Sequence, residues 1–491
     1  MDRAWPPDCS PPASHPAPRN RRGAHAGRVA APPDDAPPDD APPRHDRRRS
    51  QPRGTYADDC RTSDYPRYTD PLTPQPRVRG VTGKIRTVTI AGTLTALTLL
   101  GATTTATTTA TAAPAPGRAT TPPPVTATAT APALPRPTGN LAVGRDTLHL
   151  TDRSRRDPWR PSAPRELMVD VYYPAVPATG TPARYADPQE IRRYLAALGL
   201  AEVLSPQTIA ATTIASRTGA RPLPGHRPLV LLSPGLGVGR RSLTGLAEQL
   251  ASLGLLAATI DHAYESVGTA FPGGRMLTCL ACDQINGDAA FTAAARTRGA
   301  DLSFVLTSLT GPHPTWRGAA LVDPTRIGAV GHSLGGAGAI SAMIRDPRVD
   351  VGVNMDGTVG EIPPPGALGA RPVLLLGASA DHPGPRDTII PAGDDDPSWA
   401  ASWQRLGPGR LWLDVDDAEH FSFTDDPVLA DQLPPPPAAI PVDQQRLTGA
   451  RALEITRAYV GAFLLRAFTG HTQPLLDTPS PAYPQVRVIG R

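Results

Sequence analysis

Apolar residues cluster in seven short runs along this chain, at residues 167–172, 229–233, 256–260, 327–331, 351–355, 373–377 and 411–415. Several runs are continuous rather than alternating, which is how parallel strands buried on both faces read. Helical patterns lie between them. Residues 242–253 form one and stop at Gly254, a residue suited to the left-handed position after a helix. Asp187-Pro188-Gln189-Glu190 opens another, with Asp as N-cap, Pro in the first turn and Glu at the third position. Residues 444–468 are apolar along one face and predict a long last helix. Strands alternating with helices predict an α/β domain, a mostly parallel central sheet with helices on both faces. A helix pair within 187–216 forms a small helical insertion, placed where it can cover part of a site.

The first part of the chain follows no such pattern. Residues 1–77 are rich in Pro, Arg and Asp and poor in aliphatics, a composition that cannot bury enough apolar surface to offset chain entropy. They are read as disordered, or as not translated. Residues 78–112 run from a basic stretch ending Lys84-Ile85-Arg86, through a short apolar stretch, to Ala110-Thr111-Ala112. That is the architecture of a secretory signal, lying internally, so translation is expected to start at Val78 or Val81. The apolar stretch is short and Thr-laden for a span of roughly 20 apolar residues, so export is expected, with membrane anchoring if the segment stays uncleaved. Residues 113–138 form a Pro/Ala/Thr linker, and 139–491 the folded domain, its ordered part ending near Gln485.

The net charge of +4 belongs mostly to the leading segment. Residues 1–86 hold 16 basic and 11 acidic residues, leaving 33 and 34 in the rest, so nothing electrostatic points to nucleic acid. Lys84 is the only lysine; with abundant Ala and Pro, this suggests a GC-rich bacterial genome. Cys279 and Cys282 are the only cysteines beyond the leading segment, and a local disulfide is expected for an exported chain. A zinc site would need more ligands. The acidic runs at 394–396 and at Asp414, Asp416 and Asp417 read as solvated loops, and no metal or organic cofactor is expected.

Candidate chemistry centres on Gly331-His332-Ser333-Leu334-Gly335-Gly336, between an apolar run and a helix-compatible stretch. Strand, Gly-x-Ser-x-Gly turn, then helix is a nucleophile elbow. Ser333 needs a base, an acid to orient it and donors for an oxyanion, and the chain order is Ser, acid, His. His420 fits the base: it follows the run at 411–415, whereas His471 lies in an expected tail and His382 in a turn where an acid is more usual. Two acids compete, Asp356 and Asp381, each at the end of a run after the serine. Leu334 N–H and, from Ser233-Pro234-Gly235-Leu236-Gly237, Leu236 N–H are the candidate oxyanion donors. The glycine spacing of that turn matches no nucleotide-binding fingerprint.

Together these segments resemble the α/β-hydrolase lipases and esterases related to plasma-type platelet-activating-factor acetylhydrolase. The resemblance rests on 233–240, on 255–270 with Asp261-His262, on the turn at 331–336, on Gly352-Val353-Asn354-Met355-Asp356-Gly357 and on His420-Phe421-Ser422-Phe423-Thr424-Asp425. Asp356 follows the serine by only 23 residues, as the family's acid does, whereas cutinase-like relatives place the acid where Asp381 stands. The resemblance therefore implies an α/β-hydrolase fold and a Ser333–His420–Asp356 triad. The implied substrate is a small-molecule or lipid ester, short-acyl or phospholipid-type, with transient lipid-surface contact. A cutinase-like polyester hydrolase is the nearest rival and a catalytically inactive binding protein a further one; a peptidase or thioesterase would use the same triad.

Overall fold

The computed structural model describes residues 131–379, 382, 396–434 and 446–491. The leading segment, the signal-like segment, most of the linker, Asp381 and the acidic pair Asp394–Asp395 lie outside the described residues.

The strands are β1 (Ala142–Arg156), β2 (Pro164–Ala175), β3 (Thr181–Pro182), β4 (Arg217–Thr218), β5 (Arg227–Ser233), β6 (Leu256–His262) and β7 (Thr269–Phe271). They continue with β8 (Arg275–Leu277), β9 (Val322–His332), β10 (Val351–Met355), β11 (Val373–Ala378), β12 (Leu411–Val415) and β13 (Val486–Gly490). The helices are α1 (Pro188–Ala197), α2 (Pro206–Ala210), α3 (Thr244–Ser252), α4 (Ala281–Gln284) and α5 (Asp288–Thr310). After these come α6 (Leu334–Arg345), α7 (Ser398–Trp403), α8 (Asp426–Ala430), α9 (Gly449–Thr469) and α10 (Pro474–Asp477).

Among the described residues, eleven strands form one sheet in the order β13-β12-β11-β10-β9-β5-β6-β2-β1-β4-β3, and β7 and β8 form a separate hairpin. Neighbours from β6 through β5, β9, β10 and β11 to β12 all pair in parallel. β2 and β13 flank that block antiparallel.

The continuous apolar runs are explained by burial on both faces. Leu229 and Leu231 of β5 and Val373 and Leu375 of β11 pack with Leu302 and Val305 of α5 and Ile340 of α6. Their neighbours Val230, Leu232, Leu374 and Leu376 face the other way, onto Leu246 and Leu250 of α3 and Ile455 and Phe463 of α9. The architecture is the expected α/β-hydrolase one.

Local signals set most helix ends. Asp187 caps α1, its side chain accepting from Gln189 N–H at 2.7 Å, and Glu190 reaches back to the Asp187 N–H. Thr448 caps α9, which ends at Gly470 in the left-handed conformation. The stretch before α3 is tighter than a helix of its own: Arg240–Leu243 form a 3-10 turn leading into it. The helical insertion, α1 and α2, packs Ile191, Leu195 and Ile209 against Val428 and Leu429 of α8.

Four features depart from the sequence reading. β1 pairs along most of its length with β2, although its residues alternate polar and apolar without a continuous run. The segment after α9 is no tail: β13 adds an edge strand to β12, while His471 itself is exposed. Asp414 is not a solvated loop residue but lies buried within β12, accepting from Trp412 Nε1 at 2.8 Å. The end of the linker is docked, with Leu134 buried and Thr138 N–H donating to Gln249. Among the described residues no helix is long and apolar enough to cross a membrane.

Candidate active site

β9 ends at His332 and α6 begins at Leu334, so Ser333 alone makes the turn, at φ 54° and ψ −126°. A non-glycine residue in this region costs on the order of 1–3 kcal/mol and persists only where its surroundings dictate it. Here the Ser333 N–H donates to Met355 O at 2.9 Å. The glycines on either side are required by close approach. A Cβ on Gly331 would sit 2.1 Å from the Gly335 carbonyl carbon, and one on Gly335 would sit 2.0 Å from Ser233 O.

Asp356 follows β10 immediately and is also left-handed, at φ 53°. Its buried carboxylate accepts from Ala378 N–H at 2.7 Å and from His420 Nδ1–H at 2.6 Å. His420 opens the 3-10 turn that follows β12, with its side chain 39% exposed. With Nδ1 committed to Asp356, Nε2 is the ring nitrogen left for proton transfer. Burial pushes the Asp356 carboxyl up, but the hydrogen bonds from His382 and His420 outweigh it and hold it well below the usual carboxylate range. The parallel strands thus bring Ser333, Asp356 and His420 to the carboxyl ends of β9, β10 and β12, where sheets of this kind place their sites.

Two histidines support this pair. His382, read from sequence as a turn residue, has Nε2 3.3 Å from Asp356 Oδ1 and stacks on Trp399 at 3.6 Å. His332 is fully buried, and its Nε2–H donates to the His420 carbonyl at 2.7 Å. Burial, reinforced by the neighbouring His420, pushes the His332 imidazole down to about 3, so it is neutral.

The turn after β5, Pro234-Gly235-Leu236-Gly237, lies against the serine: a Cβ on Gly235 would be 3.4 Å from Ser333 Cβ. Gly237 N–H donates to Glu265 O at 2.9 Å, and Val267 N–H donates back to Gly237 O at 3.2 Å. The Leu236 amide belongs to this turn, and the Leu334 amide to the first position of α6. These are the two amides that the sequence reading named as oxyanion donors.

Behind the turn lies a buried charge cluster that sequence reasoning missed. Arg165 donates to Asp157 at 2.8 Å, Glu265 at 2.5 Å and Asp301 at 2.7 Å. Arg298 Nε–H donates to Glu265 at 2.7 Å. His262 donates from Nδ1 to Asp301 at 2.7 Å and accepts at Nε2 from Ser233 Oγ at 2.9 Å. His262, Glu265 and Asp301 are close enough together to suggest a metal site. Three guanidinium groups, those of Arg155, Arg165 and Arg298, already occupy the acceptors of Glu265 and Asp301 and oppose a further cation, so the donor set does not fit a metal. Cys279 and Cys282 form the expected disulfide, with Cα atoms 5.4 Å apart.

The chain belongs to the α/β-hydrolase esterases and is an enzyme that hydrolyses carboxylic esters. No protein-family model matches it. The relationship shows in the solved structure of a ferulic acid esterase from Streptomyces cinnamoneus, 40% identical at a TM-score of 0.64, covering 74% of this chain and all of that one. It shows also in a probable 1-alkyl-2-acetylglycerophosphocholine esterase of Arthroderma benhamiae, 27% identical over 388 residues, 72% of this chain and 92% of the relative. A bis(hydroxyethyl) terephthalate hydrolase of Streptomyces coelicolor is 28% identical over 199 residues, 39% of this chain and 50% of the relative.

Proposed function

We propose that this protein is a serine esterase acting by a ping-pong mechanism. His420 Nε2 takes the Ser333 proton as Oγ attacks the ester carbonyl. Asp356 fixes the imidazole tautomer and stabilises the imidazolium. The Leu236 and Leu334 amides hold the oxyanion, each contributing roughly 2.7–4 kcal/mol. The alcohol leaves with the proton from His420, and water, activated by the same histidine, then hydrolyses the acyl-enzyme. The observation that carries this reading is the 2.6 Å bond between His420 and Asp356, at the ends of β12 and β10 on one side of the Ser333 turn.

The substrate is a small ester with a short acyl group, of the phospholipid type named for the Arthroderma relative. Exposed Leu198 and Val203 on the helical insertion, with Phe421 beside His420, support transient contact with a lipid surface. A second reading, an aromatic acyl ester, is favoured by the names of the two Streptomyces relatives. Export of the mature chain is part of the proposal, supported by the signal-like segment at 78–112 and the Cys279–Cys282 disulfide.

The test is hydrolysis of p-nitrophenyl esters from acetate to palmitate, beside methyl ferulate and a polyester film, with Ser333→Ala as control. Ser333-dependent turnover highest on acetate is expected. Preference for ferulate would establish the second reading, film clearance a polyesterase, and no Ser333-dependent turnover on any of them a binding protein.

A further inference from the structure

A buried charge cluster beneath a glycine turn needs a reason. Removing charges from water costs several kcal/mol per ion, and an apolar core of equal volume is often as stable. Arg165, Arg298, Glu265 and Asp301 are each 1% exposed or less. Arg298 is the member of this cluster whose guanidinium reaches the turn's own carbonyls. It donates to Pro234 O, and to Gly235 O at 3.5 Å, while its Nε–H is anchored on Glu265. Arg298 and Asp301 share the buried face of α5, so the turn is braced against a 23-residue helix.

The bracing has a consequence for the peptide planes. In a trans peptide the carbonyl of one residue and the N–H of the next point in opposite directions. A guanidinium that draws the Gly235 carbonyl to the buried side therefore turns the Leu236 N–H to the other side, in a turn that lies against Ser333. Gly235 has no Cβ, so its peptide would otherwise flip at low cost and present a carbonyl oxygen to the serine instead of a donor.

We propose that Arg298 is the positioning residue of the oxyanion turn, holding the Gly235–Leu236 peptide in its donor orientation. This rests on the serine esterase reading above. The Ser233–His262–Asp301 chain completes the brace. Arg298 donates to Ser233 Oγ at 3.3 Å, the hydroxyl donates to His262, and His262 donates to Asp301. These are the residue types of a hydrolytic triad, but Ser233 is fully buried. The chain fixes direction at the foot of the turn and carries out no reaction.

The experiment compares wild type with Arg298→Lys, which keeps the charge and loses the planar fork, and with Glu265→Gln, which loosens the anchor of the guanidinium. Active sites are counted by fluorophosphonate labelling, so that unfolded protein does not enter the rate. Arg298→Lys is expected to lower kcat on p-nitrophenyl acetate by about 10- to 100-fold, somewhat less than the loss of a whole oxyanion donor. KM is expected to stay within about twofold, and affinity for an arylboronic acid to fall in step with kcat. Glu265→Gln is expected to show the same pattern at smaller size and decides the matter if Arg298→Lys does not fold. Unchanged kcat per labelled site, with only thermal stability reduced, would overturn the proposal. Wild-type protein that takes no label at Ser333 would instead overturn the serine esterase reading beneath it.

Discussion

The backbone N–H of Ser333 donates to the carbonyl of Met355, the residue immediately before Asp356, at 2.9 Å. The Ser333 turn and the Asp356 turn are therefore joined backbone to backbone, and both adopt left-handed φ values. Neighbouring parallel strands, β9 and β10, supply them, which is why serine and acid lie so close in sequence.

The joint leaves no room on its far side. A Cβ on Gly357 would meet Ser333 O at 2.2 Å. Gly357→Ala is expected to cost about 1–3 kcal/mol of stability, as overpacking does, and to lower kcat more than KM. Thermal unfolding and steady-state kinetics check both.

Asp356→Asn should reduce kcat by about 10⁴-fold, the loss seen when a triad carboxylate becomes an amide that favours the wrong tautomer. Asp381→Asn should leave kcat within a few-fold. Kinetics on p-nitrophenyl acetate separate the two acids; the reverse pattern would assign the role to Asp381.

Acid should destabilise the fold in a defined window. His332 is held down to about 3 from 6.5, first by burial, so between these values the unfolded chain takes up a proton that the folded chain refuses. Stability is therefore lost as pH falls through that window. For Glu265 burial acts upward, but Arg298 and Arg165 outweigh it and bring the carboxyl down from 4.5 to about 2. Its contribution is present above 4.5 and is lost as pH falls towards 2. Measured against His332→Gln, the urea midpoint of the wild type should fall as pH drops from about 6.5 towards 3.

Asp414 acts with the opposite sign. Burial, only partly countered by Trp412 and Arg487, pushes its carboxyl up to about 7 from 3.8. The folded chain holds a proton there that the unfolded chain releases, so stability is lost as pH rises through this range. Asp414→Asn keeps an acceptor for Trp412 and should raise Tm clearly near pH 8 and hardly at all near pH 3.5.

Much of this was legible in the sequence. The seven apolar runs became strands because each is buried on both faces, so no alternation obscured them. The placement of Ser333, Asp356 and His420 at strand ends could be read because each follows such a run. The longest helix, α5, was not singled out: its buried stripe of Ala294, Arg298, Asp301, Val305 and Leu309 contains two charged residues that read as surface. Counting that stripe by spacing rather than by polarity would have found the helix and pointed to its buried ions. β1 and β13 were hidden because half-exposed strands carry polar residues. His382 carried no local signal at all, since its approach to Asp356 depends on the chain folding back after β11.

The central claim is that Ser333 carries the acyl group, and the most direct measurement is rapid-quench mass spectrometry of the enzyme during turnover of p-nitrophenyl acetate. The account predicts a p-nitrophenol burst equal to the enzyme concentration and one acetyl group on the peptide containing Ser333, both lost in Ser333→Ala. An acetyl group on a different residue, or turnover that persists in Ser333→Ala with no adduct, would contradict it.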